Sequence, residues 1–541
     1  MLGKTRRIVA AAVLVMATLL FVDFTGAAGD RFWWLAKIQL LPAFLAANFA
    51  IVAALLALTL VFGRLYCSAI CPLGIFQDAV WRIGRGKKRM HKMSYSPEMK
   101  WLRYGVFAAF AAALLFGVGA FVALLAPYSS YGRIAQELFA PVWRSANNVL
   151  AAGSELLGNY MFSYESIWTG GGAAFAAALA SFALIVALAY KKGRLYCNSL
   201  CPVGTLLGFF SRYSIFRPVI NLEKCNGCGV CARNCKSSCI NSKEHNIDLS
   251  RCVACFDCID NCRQGAITYT FRRAKPAGRG ADNSVPKGRG TEAQDLLSAP
   301  DAKSAKLRGE AKPARFRREA GVPRGRTCGG SPSSGARRGF FALFAALFAN
   351  SLKAQVMKLD GGLAELKKRE LPRRAVPVLP PGSVSAEHMA ARCTACQLCV
   401  ASCPTGALEA SSALSTFMQP HFTFERGHCR IDCAKCSQVC PTGAILKIDV
   451  EDKASIQAGR AVWIAANCVV NVDKLQCDNC FRHCPAGAIH MVLQNPKDPK
   501  SLKIPAINEE RCIGCGACEH LCPARPFTAI YVEGNKIQRR I

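Results

Sequence analysis

The stretch GRLYCSAICPLG at residues 63–74 returns as GRLYCNSLCPVG at residues 193–204, with eight of twelve positions identical. Each copy closes a long apolar run, so one CxxxCP device stands twice at the end of what reads as a helix. About 20 residues of helix cross a bilayer core, and four runs are long enough, near residues 8–28, 38–62, 104–126 and 173–190. Residues 1–215 therefore read as an α-helical membrane domain of four spanning helices. The first run lacks the small-residue cleavage pattern of a signal peptide.

Charge orients these runs. Lys4, Arg6 and Arg7 precede the first, RIGRGKKRMHK (82–92) separates the second from the third, and Lys191, Lys192 and Arg194 follow the fourth. The other side carries only Arg31, Lys37, Arg133 and Arg144. Excess Lys and Arg marks the cytoplasmic side, so the N-terminus and both CxxxCP motifs are expected there, in a bacterial inner membrane crossed several times. The net charge of +33 has no aromatic-interleaved basic motif beside it. Nucleic acid is thus not an expected partner; lipid headgroups are.

Thirty cysteines in 541 residues would suggest disulfides if they were scattered, but they fall in CxxC clusters. Two groups lie in residues 216–271: CNGCGVCARNC (Cys225, Cys228, Cys231, Cys235) and CVACFDCIDNC (Cys252, Cys255, Cys258, Cys262). Four lie in residues 385–541: Cys393, Cys396, Cys399 and Cys403; Cys429, Cys433, Cys436 and Cys440; Cys468, Cys477, Cys480 and Cys484; and Cys512, Cys515, Cys518 and Cys522. Three closely spaced thiolates wrap one face of a [4Fe-4S] cubane, and the fourth cysteine reaches a second one. Zinc ribbons need only two pairs, so six [4Fe-4S] clusters are expected, in two small α+β ferredoxin-like domains.

In the first domain the exchange gives Cys225, Cys228, Cys231 and Cys262 to one cluster and Cys252, Cys255, Cys258 and Cys235 to the other. Lys236 and Arg263 stand where proline usually follows the fourth cysteine, and Cys239 is an alternative ligand. Cys328 belongs to no motif. No CxxCH appears, none of the eight histidines lies in an apolar run, and no GxGxxG after a strand or GxxxxGK[ST] occurs. Haem, flavin and nucleotide are therefore not expected, and electrons must enter and leave through partners or a lipid-soluble carrier.

Between the Cys-rich domains lie a basic, Gly/Pro/Ser-rich segment (272–338), expected to be a disordered linker, and a short apolar segment and connector (339–384). The latter begins within SGARRGFFALFAALFANSLKAQ, which reads as an internal twin-arginine export signal or as a helix leading into the last domain.

The pair YCSAICP and YCNSLCP, followed by a two-cluster segment, resembles the membrane quinol-dehydrogenase subunits of periplasmic nitrate reductase systems, the related nitrous-oxide reductase regulators and the cytochrome-oxidase assembly ferredoxins. The tail from Cys393 to Cys522, with the preceding RRGFF, resembles the exported polyferredoxin partner of that membrane subunit. The chain thus resembles a fusion of the two. The resemblance implies oxidation of a membrane quinol, relay through the clusters to a partner reductase, and nested exchange in the last domain, first motif with fourth and second with third. It implies no nitrate-specific partner, and the alternative is an assembly or regulatory factor that reduces metal centres of another membrane enzyme.

On this reading quinol docks near the cytoplasmic ends of the spans. Cys67, Cys71, Cys197 and Cys201 hold a further iron-sulfur centre, form a thiol/disulfide pair, or merely end helices with Pro72 and Pro202 as stops. Asp23 is either a quinone proton acceptor or an interfacial carboxylate. The last domain lies outside if the twin-arginine segment acts as a signal, and inside if it does not.

Overall fold

Of the four apolar runs, two become single long helices. The computed structural model describes residues 2–85, 93–168, 171–271, 359–360, 364–365, 369–370 and 372–541. The basic linker, the twin-arginine segment, Cys328 and residues 86–92 of the basic cluster lie outside the described residues. Helices α1 (Leu2–Val22) and α12 (Gly172–Lys192) have 21 residues each and are apolar enough to cross a membrane by length and composition.

The other two runs are broken, which corrects the expectation of four spanning helices. The second splits into α4 (Leu40–Leu45) and α5 (Phe49–Phe62), the third into α8 (Lys100–Leu115) and α9 (Gly119–Leu125). Both breaks come from left-handed residues, Ala47 at φ 56° and Gly117 at φ 71°. Asn48 N then donates to Ala43 O (2.9 Å) and Val118 N to Ala113 O (2.8 Å), the closure that ends a helix in a Schellman motif. Asn48 next caps α5, its side chain accepting from Ile51 N.

Short elements fill the turns. They are α2 (Ala27–Phe32) and α3 (Trp34–Lys37); α6 (Leu65–Ala69) and α7 (Pro72–Arg85); α10 (Pro127–Ile134), a π-helical turn (Ala135–Phe139) and α11 (Ala140–Leu156); and α13 (Leu195–Ser199) and α14 (Pro202–Ser211). Leu20, Phe21, Leu35, Tyr66, Leu73, Phe110, Ile134 and Leu207 form the core of this helical body. An aromatic contact set of Phe76, Tyr131, Phe139 and Phe182 ties α7, α10 and the π turn to α12. Outward-facing apolar side chains such as Ile8, Leu115 and Phe116 remain 71–85% exposed.

Each Cys-rich domain is built on two-stranded antiparallel sheets. In the first, Phe216–Ile220 pairs with Ile267–Phe271 and Ile240–Asn241 with Asn246–Ile247. In the second the pairs are Leu408–Ala410 with Pro420–Phe422, Ile489–Leu493 with Lys503–Ile507, and Ile456–Trp463 with the terminal strand Ile530–Arg540.

The two domains grip opposite ends of α1. At its start Arg7 pairs with Asp257 (3.8 Å) and Asp260 (3.6 Å) of the first domain. Further along, α1 packs on the helix Leu398–Ala401 of the second, and α9 packs on its turn Leu414–Thr416. At 1.5 Å per residue α1 is about 31 Å long, the thickness of a bilayer core.

Candidate iron-sulfur sites

The two GRLYC copies fold as a pseudo-symmetric pair. Each makes one helical turn, α6 or α13, and then restarts as α7 or α14. Pro72 and Pro202 stand first in those new helices, where the missing N–H costs nothing, so they start helices, against the alternative that they serve merely as stops. Gly74 and Gly204 follow because any Cβ there would lie 2.3 Å from Cys67 O and 2.1 Å from Cys197 O. All four cysteines are buried in one core, and the charges of Cys197, Cys71 and Cys67 all bear on Cys201.

Arginines cross between the halves. Arg64 Nη2 donates to Cys197 O (3.1 Å) and approaches Cys67 Sγ (3.9 Å), while Arg194 Nη1 donates to Cys67 O (2.6 Å). Gln77 Nε2 donates to Cys197 Sγ (3.3 Å) and Gly204 N to Cys201 Sγ (3.3 Å). Both guanidinium groups are fully buried, and among the described residues Arg64 Nε and Arg194 Nη2 have no hydrogen-bond partner. Buried cations beside a thiol quartet suit an anionic sulfur-ligated group, because an uncompensated buried charge is costly.

Asp78 locks this centre to the first Cys-rich domain. Its carboxylate takes Arg194 Nε (2.7 Å), Lys236 Nζ (2.8 Å) and Arg6 Nη1 (3.3 Å), and Lys236 also reaches Asp257 (3.0 Å). Burial alone would push the Asp78 carboxyl up, yet Arg194 and Lys236 hold it well below the ordinary carboxylate range. Lys236, the residue in the usual proline position, also accepts Arg194 N at its carbonyl (2.8 Å). The departure from the motif is thus the fastening between domain and helices.

Within the first domain Cys225, Cys228, Cys231 and Cys262 line one cavity of about 570 Å3. The charges of Cys255, Cys252 and Cys235 bear on Cys258, placing the other quartet together. Cys239 is buried, with its Sγ 3.5 Å from that of Cys235, and this hydrogen bond draws the Cys235 thiol down to about 7.

The last domain exchanges its cysteines between neighbours, which corrects the nested expectation. Burial and the charges of Cys396, Cys393 and Cys440 push the Cys399 thiol up, while Cys403, Cys429, Cys433 and Cys436 line one cavity with Lys453. Likewise Cys477, Cys522 and Cys468 bear on Cys480, and Cys515, Cys512 and Cys484 on Cys518. The hairpins Leu408–Phe422 and Ile489–Ile507 fold the second motif back on the first and the fourth back on the third.

Backbone N–H groups point at the sulfurs: Ala395 N to Cys393, Ile445 N to Cys440, Ala461 N to Cys512, Ala488 N to Cys484 and Ala529 N to Cys522, all at 3.3–3.4 Å. Such donors stabilise thiolate ligands and tune a cluster's potential. Among the described residues no three His, Cys, Asp or Glu converge tightly enough for a single metal ion. Cysteine quartets with N–H donors on sulfur fit [4Fe-4S] clusters.

A third junction was not legible in the sequence. Tyr196, beside Cys197, donates to Leu125 O (3.2 Å), and Tyr196 and Cys396 both lie within electrostatic reach of Arg133. Arg133 is fully buried, donating to Ala123 O and Ser130 Oγ. A Cβ on Gly132 would lie 2.4 Å from Cys396 O. Helix α10 thus bridges the paired CxxxCP turns and the last domain. Arg133 and Arg194, counted among the flanking charges in the sequence, are interior residues.

The fold and its cysteine quartets define a 4Fe-4S protein, and comparison with known proteins agrees. A family model described as "4Fe-4S binding domain" matches residues 44–91 and 174–223, the two CxxxCP halves, and a "4Fe-4S dicluster domain" matches 392–444 and 475–525, the two neighbour-paired units. The methylamine utilization ferredoxin-type protein MauM of Paracoccus denitrificans is 32% identical over 181 residues, 32% of this chain and 80% of that protein. The ferredoxin-type protein NapG of Escherichia coli is 28% identical over 180 residues, 31% of this chain and 78% of NapG. NapF of the same organism is 23% identical over 179 residues, 33% of this chain and all of NapF. No solved structure matches. The chain belongs to the ferredoxin-type iron-sulfur proteins, and its work is electron transfer.

Proposed function

We propose that the chain is a membrane-spanning relay that accepts electrons from a quinol and carries them to a partner redox protein. The single observation that carries this reading is placement: Cys-rich domains at the two ends of the 31-Å helix α1, with four buried cysteines between them. Six quartets would hold [4Fe-4S] clusters, namely Cys225/228/231/262, Cys252/255/258/235, Cys393/396/399/440, Cys429/433/436/403, Cys468/477/480/522 and Cys512/515/518/484. Cys67, Cys71, Cys197 and Cys201 would hold a further centre. Each group, when bound, takes up and releases one electron.

The chain's own residues do the rest. Arg64 and Arg194 supply buried positive charge at the central quartet, Asp78 and Lys236 fasten the first domain beside it, and Arg133 does the same toward Cys396. The helical body keeps water away from all three junctions. With the N-terminus cytoplasmic, residues 216–271 face the cytoplasm and residues 385–541 the opposite side of a bacterial inner membrane.

Quinol reduction of the full chain in vesicles, followed by electron paramagnetic resonance, tests the relay. The expected result is reduced clusters in both domains of the native chain. In a Cys67→Ser/Cys71→Ser variant, clusters in one domain should stay oxidised. Reduction of both domains in that variant would overturn the central role of the quartet.

A further inference from the structure

At the end of α1 remote from the first domain, a cavity of about 340 Å3 lies between the helical body and the last domain. One wall is Leu20, Asp23, Gly26, Gly29, Asp30, Trp33 and Lys37; the other is Ser402, Lys435, Gln438, Val439 and Lys447. Ser402 precedes Cys403 and Val439 precedes Cys440, the two cysteines exchanged between the first pair of quartets. The cavity is therefore lined by the chain neighbour of one cysteine from each motif of that pair. Its volume falls in the range of small-molecule sites.

Two further observations bear on the ligand class. Trp33, 40% exposed, lines it near the end of an apolar helix, with Trp34 next in sequence at 44% exposed, the place aromatic residues take at a membrane interface. Lys37 lies over the Trp33 ring (4.3 Å) and within electrostatic reach of Cys440, so cationic donors and an aromatic face share the cavity. Two one-electron sites side by side also match a donor that must give up two electrons. Asp23, the sequence candidate for proton transfer, also lines the cavity, its carboxylate accepting from Thr25 N (2.9 Å), Thr25 Oγ1 (2.6 Å) and Ala28 N (2.7 Å).

We infer that this cavity is the quinol site, placing electron entry at the last domain and away from the CxxxCP turns; the inference rests on the relay reading above. Lys37, Lys435 and Lys447 offer donors to the ring oxygens, and Asp30 stands at the exposed rim. Each quinol oxidised to quinone gives one electron to the oxidised centre that includes Cys440 and one to that including Cys403. Its two protons pass to Asp30 and to water.

An azido-quinone and a short-chain naphthoquinol, used on the full chain in lipid vesicles, test this. Photolabel is expected on peptides spanning residues 20–37 and 435–447, competed by the quinol. Gly29 tolerates a side chain sterically, since nothing lies within 4 Å of its Cβ position. Gly29→Phe should fill the cavity, cutting labelling and the rate of quinol reduction tenfold or more while dithionite still reduces every cluster. In the Cys67→Ser/Cys71→Ser variant the last domain should be reduced and the first should not.

Label on residues 63–74 or 193–204, or reduction of only the first domain in that variant, overturns the site and leaves the relay standing. Label in the cavity with no cluster reduced by quinol in the native chain overturns the relay and leaves the site standing.

Discussion

A single carboxylate, Asp78, carries the junction between helices and first domain, holding Arg194, Lys236 and Arg6. Its removal leaves buried cations without a counter-charge, which costs about 3–5 kcal/mol. Asp78→Ala should therefore show a loss of that size in denaturant unfolding. The pH dependence has a definite sign. Because the folded carboxyl is held below its unfolded value, its contribution is fully present above the unfolded range near about 3.9 and fades as pH falls through the depressed folded value. An Asp78→Asn chain should lack this acid-sensitive component in titrations below pH ~4. Lys236 was visible in the sequence as a departure from the motif, but its partners lie 158 and 21 positions away, so spacing alone gave no reason for it.

Among the elements, the repetition of the CxxxCP device was legible because identical local requirements wrote identical residues. Gly74 and Gly204 are needed at one close approach each, and Gly204→Ala should lower iron content only by the share of the central quartet, measured against Cys67→Ser/Cys71→Ser. The broken runs were not legible. Mean hydropathy does not register one left-handed residue, and Ala47 or Gly117 changes a run's apolar character hardly at all. Cysteine pairing in the last domain was also hidden, since the motifs are closely alike and the choice between neighbours and nesting rests with the hairpins that connect them.

For the whole molecule, cysteine grouping announced an iron-sulfur chain, while the gripping of α1 from both ends appears only in three dimensions. Reporter fusions after residue 271 and after residue 541 should give opposite signals, checked by periplasmic and cytoplasmic reporter activity. The last domain's core includes Cys399, Cys468, Cys512, Cys518 and Cys522, so its ligands and its packing are the same residues. Iron removal should then unfold it, because metal binding and folding share one free energy. Protease digestion before and after chelation would register this as new cleavage within residues 385–541, with α1 and α12 spared.

The crossed arginines bear on descent. Arg64 serves the Cys197 turn and Arg194 the Cys67 turn, which is the reciprocity of an isologous two-fold interface, here between two stretches of one polypeptide. Tandem joining frees the halves to differ: the position of Asp78 in one is Gly208 in the other, whose missing Cβ admits Arg103 Nη2. A homodimer of either half alone would carry two aspartates or none, so only the joined gene product can hold one ferredoxin domain on one side of its pseudo-axis.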